Sequence, residues 1–261
     1  MHNGIQGVWT IIVLALSIAG IVIYFLAGFL SNRKGHLQPW PIYRYILWTL
    51  GILAATVPVI GPLAEWAHTN FTAHMLGHLL LGMLAPLLLV LSAPVTLVLR
   101  TLPVRQARFI ANFLKSFPIS VLSNPIIASI LNIGGLWLLY TTNLYHVMHH
   151  NLLVYLLIHF HVFAAGYLFT AAMIYIDPTP HRFSYLYRSI ALVFALGAHA
   201  ILSKYIYAHP PIGVPTHEAE AGGMLMYYGG DAIDLVLIFI LMLHWYRSAA
   251  PRQALAKFET V

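Results

Sequence analysis

The sequence has no cysteine. Disulfides, iron–sulfur clusters and thiolate metal sites are therefore excluded together. Charge is almost as scarce: only 8% of the 261 residues are Asp, Glu, Lys or Arg, against about 25% in soluble domains. Hydrophobic residues make up 60%, and mean hydropathy is +0.81. This balance excludes an ordinary cytosolic enzyme and a disordered tail. The chain is better counted in membrane spans than in soluble domains. No internal repeat or low-complexity segment stands out, and residues 1–261 read as a single integral membrane helical domain. What the sequence does have is histidine: 15 of them, more than the 13 Lys and Arg or the 7 Asp and Glu.

A bilayer core takes roughly 20 apolar residues per helix. Seven stretches approach or exceed that length, at about 5–30, 43–60, 71–99, 125–142, 152–176, 189–208 and 224–246. The first has no basic leader, a long apolar core and no following A-x-A site, so it reads as a retained helix rather than a signal peptide. Turn dipeptides at Gly61-Pro62, Asn124-Pro125, Asp177-Pro178 and Pro210-Pro211 punctuate the spans. Pro86 and Pro94 fall inside the third span and should kink it.

Arg33, Lys34 and Arg44 follow span one. Arg100, Arg105, Arg108 and Lys115 follow span three, Arg182 and Arg188 span five, and Arg247, Arg252 and Lys257 span seven. Only Lys204 falls near the other face. The expected fold is thus an all-α seven-transmembrane helix bundle with its N-terminus outside and its C-terminus cytoplasmic. The formal net charge of +6 is then a matter of orientation, and its dispersal over loops argues against nucleic acid as a partner.

On this topology only His36, His181 and His244 are cytoplasmic. The other histidines lie outside or in the outer half of the membrane. His78 and His159 lie roughly 10 Å, and His199 roughly 12 Å, below the outer helix ends, with Asp234 comparable. Polar groups at such depth usually face the bundle interior. His74 and His78, four apart, share a helix face and could bind one metal. Met75 and Gly77 occupy the interior of that motif, where a zinc protease would carry Glu. His146 and His150 repeat the spacing near His149 and Met148. His159 and His161 lie about 200° apart, so only one can face a given site. Asp231 and Asp234, three apart, could both be ligands or could cap the last helix.

The expected metal ligands are therefore His74, His78, His159, His199, Asp231, Asp234 and Met75. Imidazole and thioether without thiolate favour copper, with zinc as an alternative. Bis-His haem is a further alternative, with His78 opposite His159 or His199. A zinc hydrolase would need Asp231 or Asp234 as its base. A copper permease would need polar residues continuing to the inner face, where spans three and five are apolar. His78→Ala should lower metal retention more than His36→Ala.

Phe71, His74, Met75 and His78 stand in an F-x-x-H-M-x-x-H arrangement. Ala85-Pro86 follows, and then Ser92-Ala93-Pro94-Val95-Thr96-Leu97 leading to Arg100. This run resembles the third-span signature of the CtaG-type cytochrome c oxidase assembly factors. The stretch from His159 through Phe163 and Gly166 to Phe169 is similar to that family's H-x-x-x-F/L-x-x-G-x-L-F element. Glu218, Gly222, Gly223 and Met226 resemble its D-Q-x-x-G-G-x-x-M element, with Glu in place of Asp and Ala219 in place of Gln. The resemblance implies a protein of the bacterial plasma membrane that is an assembly factor rather than an enzyme. It would take copper from an extracytoplasmic donor and help deliver it to a cytochrome c oxidase subunit. His74, His78 and His159 carry over as the family's histidines.

Overall fold

The computed structural model describes residues 2–35 and 37–249, with side chains from residue 7 onward. His36, Arg252 and Lys257, read above as cytoplasmic, lie outside the described residues, as does the His2 side chain. Among the described residues every regular element is helical. In chain order these are α1 (His2–Asn32), α2 (Ile42–Thr56), α3 (Pro62–Ala67) and α4 (Phe71–Leu79). A π turn, Leu80–Leu84, carries α4 into α5 (Ala85–Leu91). Then come α6 (Pro94–Thr101), α7 (Val104–Leu114), α8 (Phe117–Leu122) and α9 (Pro125–Ser129). A second π turn, Ile130–Gly134, joins α9 to α10 (Gly135–Thr141). The chain ends through α11 (Leu144–His150), α12 (Leu152–Met173), α13 (Tyr185–Ala208) and α14 (Thr216–Ala249).

Among the described residues five helical stretches are long and apolar enough to cross a membrane: Gly7–Asn32, Phe71–Thr101, Leu152–Met173, Tyr185–Ala208 and Thr216–Ala249. Pro125–Thr141 with Leu144–His150 makes a sixth if the pair, bent by 80°, counts as one span. The remaining expected span is α2, whose 15 residues extend about 22 Å, less than the roughly 30 Å of hydrocarbon. Pro58 supplies no N–H to continue α2, and Gly61, at φ 85°, turns the chain into α3.

The third span is interrupted where its prolines stand. Pro86 offers no N–H to the Gly82 carbonyl four residues earlier, and the π turn lies at that point. On the facing helix α12, Gly166 lies against the same Gly82 carbonyl oxygen, in space a Cβ would occupy. Pro94 follows Ala93, which is left-handed at φ 55° and separates α5 from α6. The break is held from outside. The Asp177 carboxylate accepts from the Val95 N–H (3.2 Å), the Thr96 N–H (2.7 Å) and the Thr96 hydroxyl (2.6 Å). Tyr24 donates its hydroxyl to the Ser92 carbonyl at 2.6 Å.

The span formed by α4, its π turn and α5 is the axis of the bundle, packed by α2, α3, α12 and α14. One apolar core joins Leu87, Phe169, Met173, Leu192 and Leu241 at one end. A second, rich in aromatic and thioether side chains, joins Phe71, Met75, Tyr140, Tyr145, Met148 and Met226 at the other. By contrast α1 is mostly exposed, with Ile11, Leu16 and Ile23 each about two-thirds open. An outer surface of that kind is stable in lipid rather than in water. The basic segment after α6 is also helical. In α7, Phe109 and Phe113 are exposed, and Arg105 shares their face of the helix.

One sequence expectation is corrected. Asp231 and Asp234 cannot cap the last helix, because α14 begins at Thr216 and both lie in its interior. Its first turn carries Glu218 instead. The Glu218 carboxylate accepts the Phe71 N–H at 2.6 Å, while the Asn70 side chain caps the Ala73 N–H at 2.9 Å. Glu218 thus tethers the start of α4 to the start of α14. Glu218→Ala is expected to lower stability by about 1–2 kcal/mol, read as a fall in thermal midpoint. Glu218→Gln, which keeps an acceptor oxygen, should fall less.

Candidate metal centre

The residues that begin α4 also aim its histidines. The Asn70 and Glu218 caps fix the first turn. His74 and His78, one turn apart, then line one narrow cavity of about 30 Å³ between α3, α4, α10, α11 and α12. His68, His149 and His159 line the same cavity, together with Met148, Tyr140 and Tyr155. Histidines from two distant regions of the chain, 68–78 and 149–159, therefore meet in a space large enough for about one water molecule.

Hydrogen bonds settle part of their chemistry. The His149 Nδ1 lies 2.9 Å from the Tyr145 carbonyl, and the His159 Nδ1 lies 2.8 Å from the Tyr155 carbonyl. A carbonyl only accepts, so in both rings Nδ1 carries the proton and Nε2 is left as a lone-pair donor. This is how metal-binding imidazoles are usually oriented. The His74 Nε2 lies 3.0 Å from the Tyr140 hydroxyl. Ring centres of His149 lie 6.0 Å from His68 and 6.2 Å from His74. At the rim, desolvation and the nearby His149 lower the His68 pKa, so its neutral, metal-binding form persists to lower pH.

Deeper in the bundle, His78 faces His199 of α13, with ring centres 6.3 Å apart. Both residues are buried. His199 does not line the cavity of the other five. Asp234 is buried but lines a separate small cavity with Asn132 and Thr170. Asp231 is exposed. The two carboxylates therefore do not share a site with the histidines. Met75 is fully buried and packs against α14 near Gly222 rather than lining the cavity. His161 is exposed on the far side of α12, where its Nε2 donates to the Leu131 carbonyl at 3.1 Å, beside the second π turn. Among the described residues, no three His, Asp or Glu side chains are positioned to hold one ion together.

Two wider cavities, of about 320 and 250 Å³, open at the same end of the bundle, and both share His68 and His149 with the inner one. Glu65 and His150 line the first, while His146, His150 and Glu218 line the second. His68 and His149 thus stand between these outer spaces and His74. The basic helix ends, including Lys34, Arg100, Arg188 and Arg247, belong to the opposite end.

A family model described as cytochrome c oxidase caa3 assembly factor matches residues 22–248. The chain belongs to that family. The match runs from α1 almost to the end of α14, so it covers the histidine cavity and the proline-broken third span together. An uncharacterised protein of Mycobacterium bovis and another of Mycobacterium tuberculosis are each 36% identical over 190 residues. In both cases 68% of this chain and 28% of the relative are covered. An uncharacterised protein of Mycobacterium leprae is 29% identical over 247 residues, covering 85% of this chain and 37% of the relative. The chain thus spans about a third or less of the length of these relatives. No solved structure matches it. His68, Tyr140 and Tyr155 line the cavity of this caa3 assembly factor but are not among the residues the sequence singles out as ligands. His68 follows a short helix between spans, and the tyrosines resemble any interfacial aromatic.

Proposed function

We propose that this caa3 assembly factor is a copper carrier of the bacterial plasma membrane. It takes the ion from an extracytoplasmic donor and passes it to a cytochrome c oxidase subunit. The observation that supports this reading best is the meeting of His68, His74, His78, His149 and His159 in one narrow cavity. Imidazoles flanked by a thioether, with no thiolate in the chain, suit copper. In this reading the chain passes the membrane seven times, with α2 and the bent α9–α10/α11 unit completing the five longer helices. The basic ends face the cytoplasm and the histidine end faces outside.

Copper is cargo here, so its site has to release as well as bind. Two carbonyl-oriented imidazoles and a tyrosine-held third give reachable donors without a closed four-ligand cage. The zinc hydrolase reading loses the two acids the sequence offered as its base, since Asp231 is exposed and Asp234 lies in another cavity.

Elemental analysis and an absorption spectrum of the purified full-length chain test the proposal. The expected result is bound copper, or stoichiometric uptake of Cu(I) supplied anaerobically, without a Soret band. Protein that neither carries copper nor takes up Cu(I) would overturn it, and a Soret band would replace it with the haem reading.

A further inference from the structure

The five-histidine cavity leaves the deep pair, His78 and His199, only half explained. His78 Nδ1 and Nε2 and His199 Nε2 are buried without a hydrogen-bond partner. An unpartnered buried polar atom costs about 1–3 kcal/mol, and three at one spot call for a ligand. Both side chains are more than nine-tenths buried. Their elements also make room for the rings. A Cβ on Gly230 of α14 would come within 2.6 Å of His199 Cε1, and one on Gly82 within 3.3 Å of His78 Cε1 and Nδ1. A Cβ at Gly230 would therefore collide with the His199 ring, and one at Gly82 would press on the His78 ring.

We infer that His78 and His199 form a linear, two-coordinate site for monovalent copper, deeper than the histidine cavity and reached from it. The inference rests on the copper-carrier reading and adds an oxidation state and a terminal position to it. Two imidazoles joined in line through one ion, each about 2 Å from it, hold their ring centres roughly 6 Å apart. The observed separation is 6.3 Å. The same bond lengths at a tetrahedral angle would draw the centres to roughly 5 Å. Among the described residues no third His, Asp or Glu joins any such pair. Zinc, which takes four ligands in structural sites and three plus water in catalytic ones, is poorly served by two. A closed-shell Cu(I) ion accepts two nitrogen donors in line. Because His78 lines the outer cavity and also faces His199, an ion leaving the His74/His159 level can exchange onto His199 without losing its hold on His78. No change of oxidation state is required.

The test uses the full chain in detergent, loaded anaerobically with Cu(I), alongside a second sample loaded with Zn(II). X-ray absorption at the copper edge is expected to show one ion per chain with a nearest shell of two nitrogens. His199→Gln is expected to weaken Cu(I) retention against a competing chelator by more than about 100-fold, while Zn(II) uptake at the outer histidines stays unchanged. Gly230→Ala, which keeps both imidazoles but fills the space beside His199, should weaken Cu(I) retention in the same direction. It provides a second readout if His199→Gln fails to fold. A copper shell of three or four donors, or retention unaffected by either variant, overturns the linear site. Cu(I) held through His74 and His159 with His199→Gln silent leaves the carrier reading standing. Absence of any Cu(I) uptake removes both.

Discussion

His78→Ala is expected to reduce retained copper more than about 100-fold, a larger loss than any other single histidine substitution produces. His78 is the one imidazole that lines the five-histidine cavity and also faces His199. Removing it breaks the outer donor set and isolates the deeper ring in one step. His36→Ala should leave retention near the wild-type level. So should His181→Ala, since His181 lies beside Lys115 at the opposite, basic end of the bundle. Metal content after exhaustive dialysis, with Cu(I) competition as the quantitative form, checks this. Equal losses for His78→Ala and His181→Ala would show that copper is held nonspecifically.

Gly166→Ala is the second substitution with a large expected effect, and it acts through packing. The added methyl group would meet the Gly82 carbonyl oxygen and would come within 3.1 Å of Pro86 Cγ. Neither neighbour can swing aside, because one is backbone and the other a ring. The loss should reach the upper end of the overpacking range, about 3 kcal/mol, seen as a lowered thermal midpoint in detergent. The same displacement would separate α12 from the α4–α5 axis and with it His159 from His74 and His78. Copper retention should therefore fall together with stability. An unchanged midpoint would mean that the helices can part at this crossing without cost.

Much of this could be read from residue order alone. Spans 71–99, 152–176 and 189–208 agree closely with the helices because long apolar runs flanked by turn dipeptides and basic residues leave little freedom. The i, i+4 spacing of His74 and His78 gave a shared face on any helix. The depth of Asp234 is legible in the apolar run, but the start of α14 is not, because its polar first residues, Thr216–Ala221, do not look like membrane. That helix begins beyond the apolar window, held there by the contact between Glu218 and Phe71. His68 and Tyr155 were missed for a different reason. Their roles depend on how the short α3 and the bent α10–α11 corner fold over the cavity, and no periodicity reports a corner. Depth put His78 and His199 on one level. Only the packing of α13 against α14, and of α14 against α4, shows that the two rings come together.

The π turn at Leu80–Leu84 has a consequence for how the family can vary. A π turn holds one residue more than the α-helical winding it replaces, and one residue is worth about 100° of rotation about the axis. The face that α4 turns toward the histidines is therefore set independently of the face that α5 turns toward the apolar core. Winding Leu80–Leu84 as ordinary helix with no residue removed would turn His74 and His78 by that angle while Leu87 and Val90 stayed in place. Deleting one residue together with the turn would leave both faces where they are. The turn acts as a phase adjuster, letting the buried half of the span keep its packing while the metal-facing half is aimed separately.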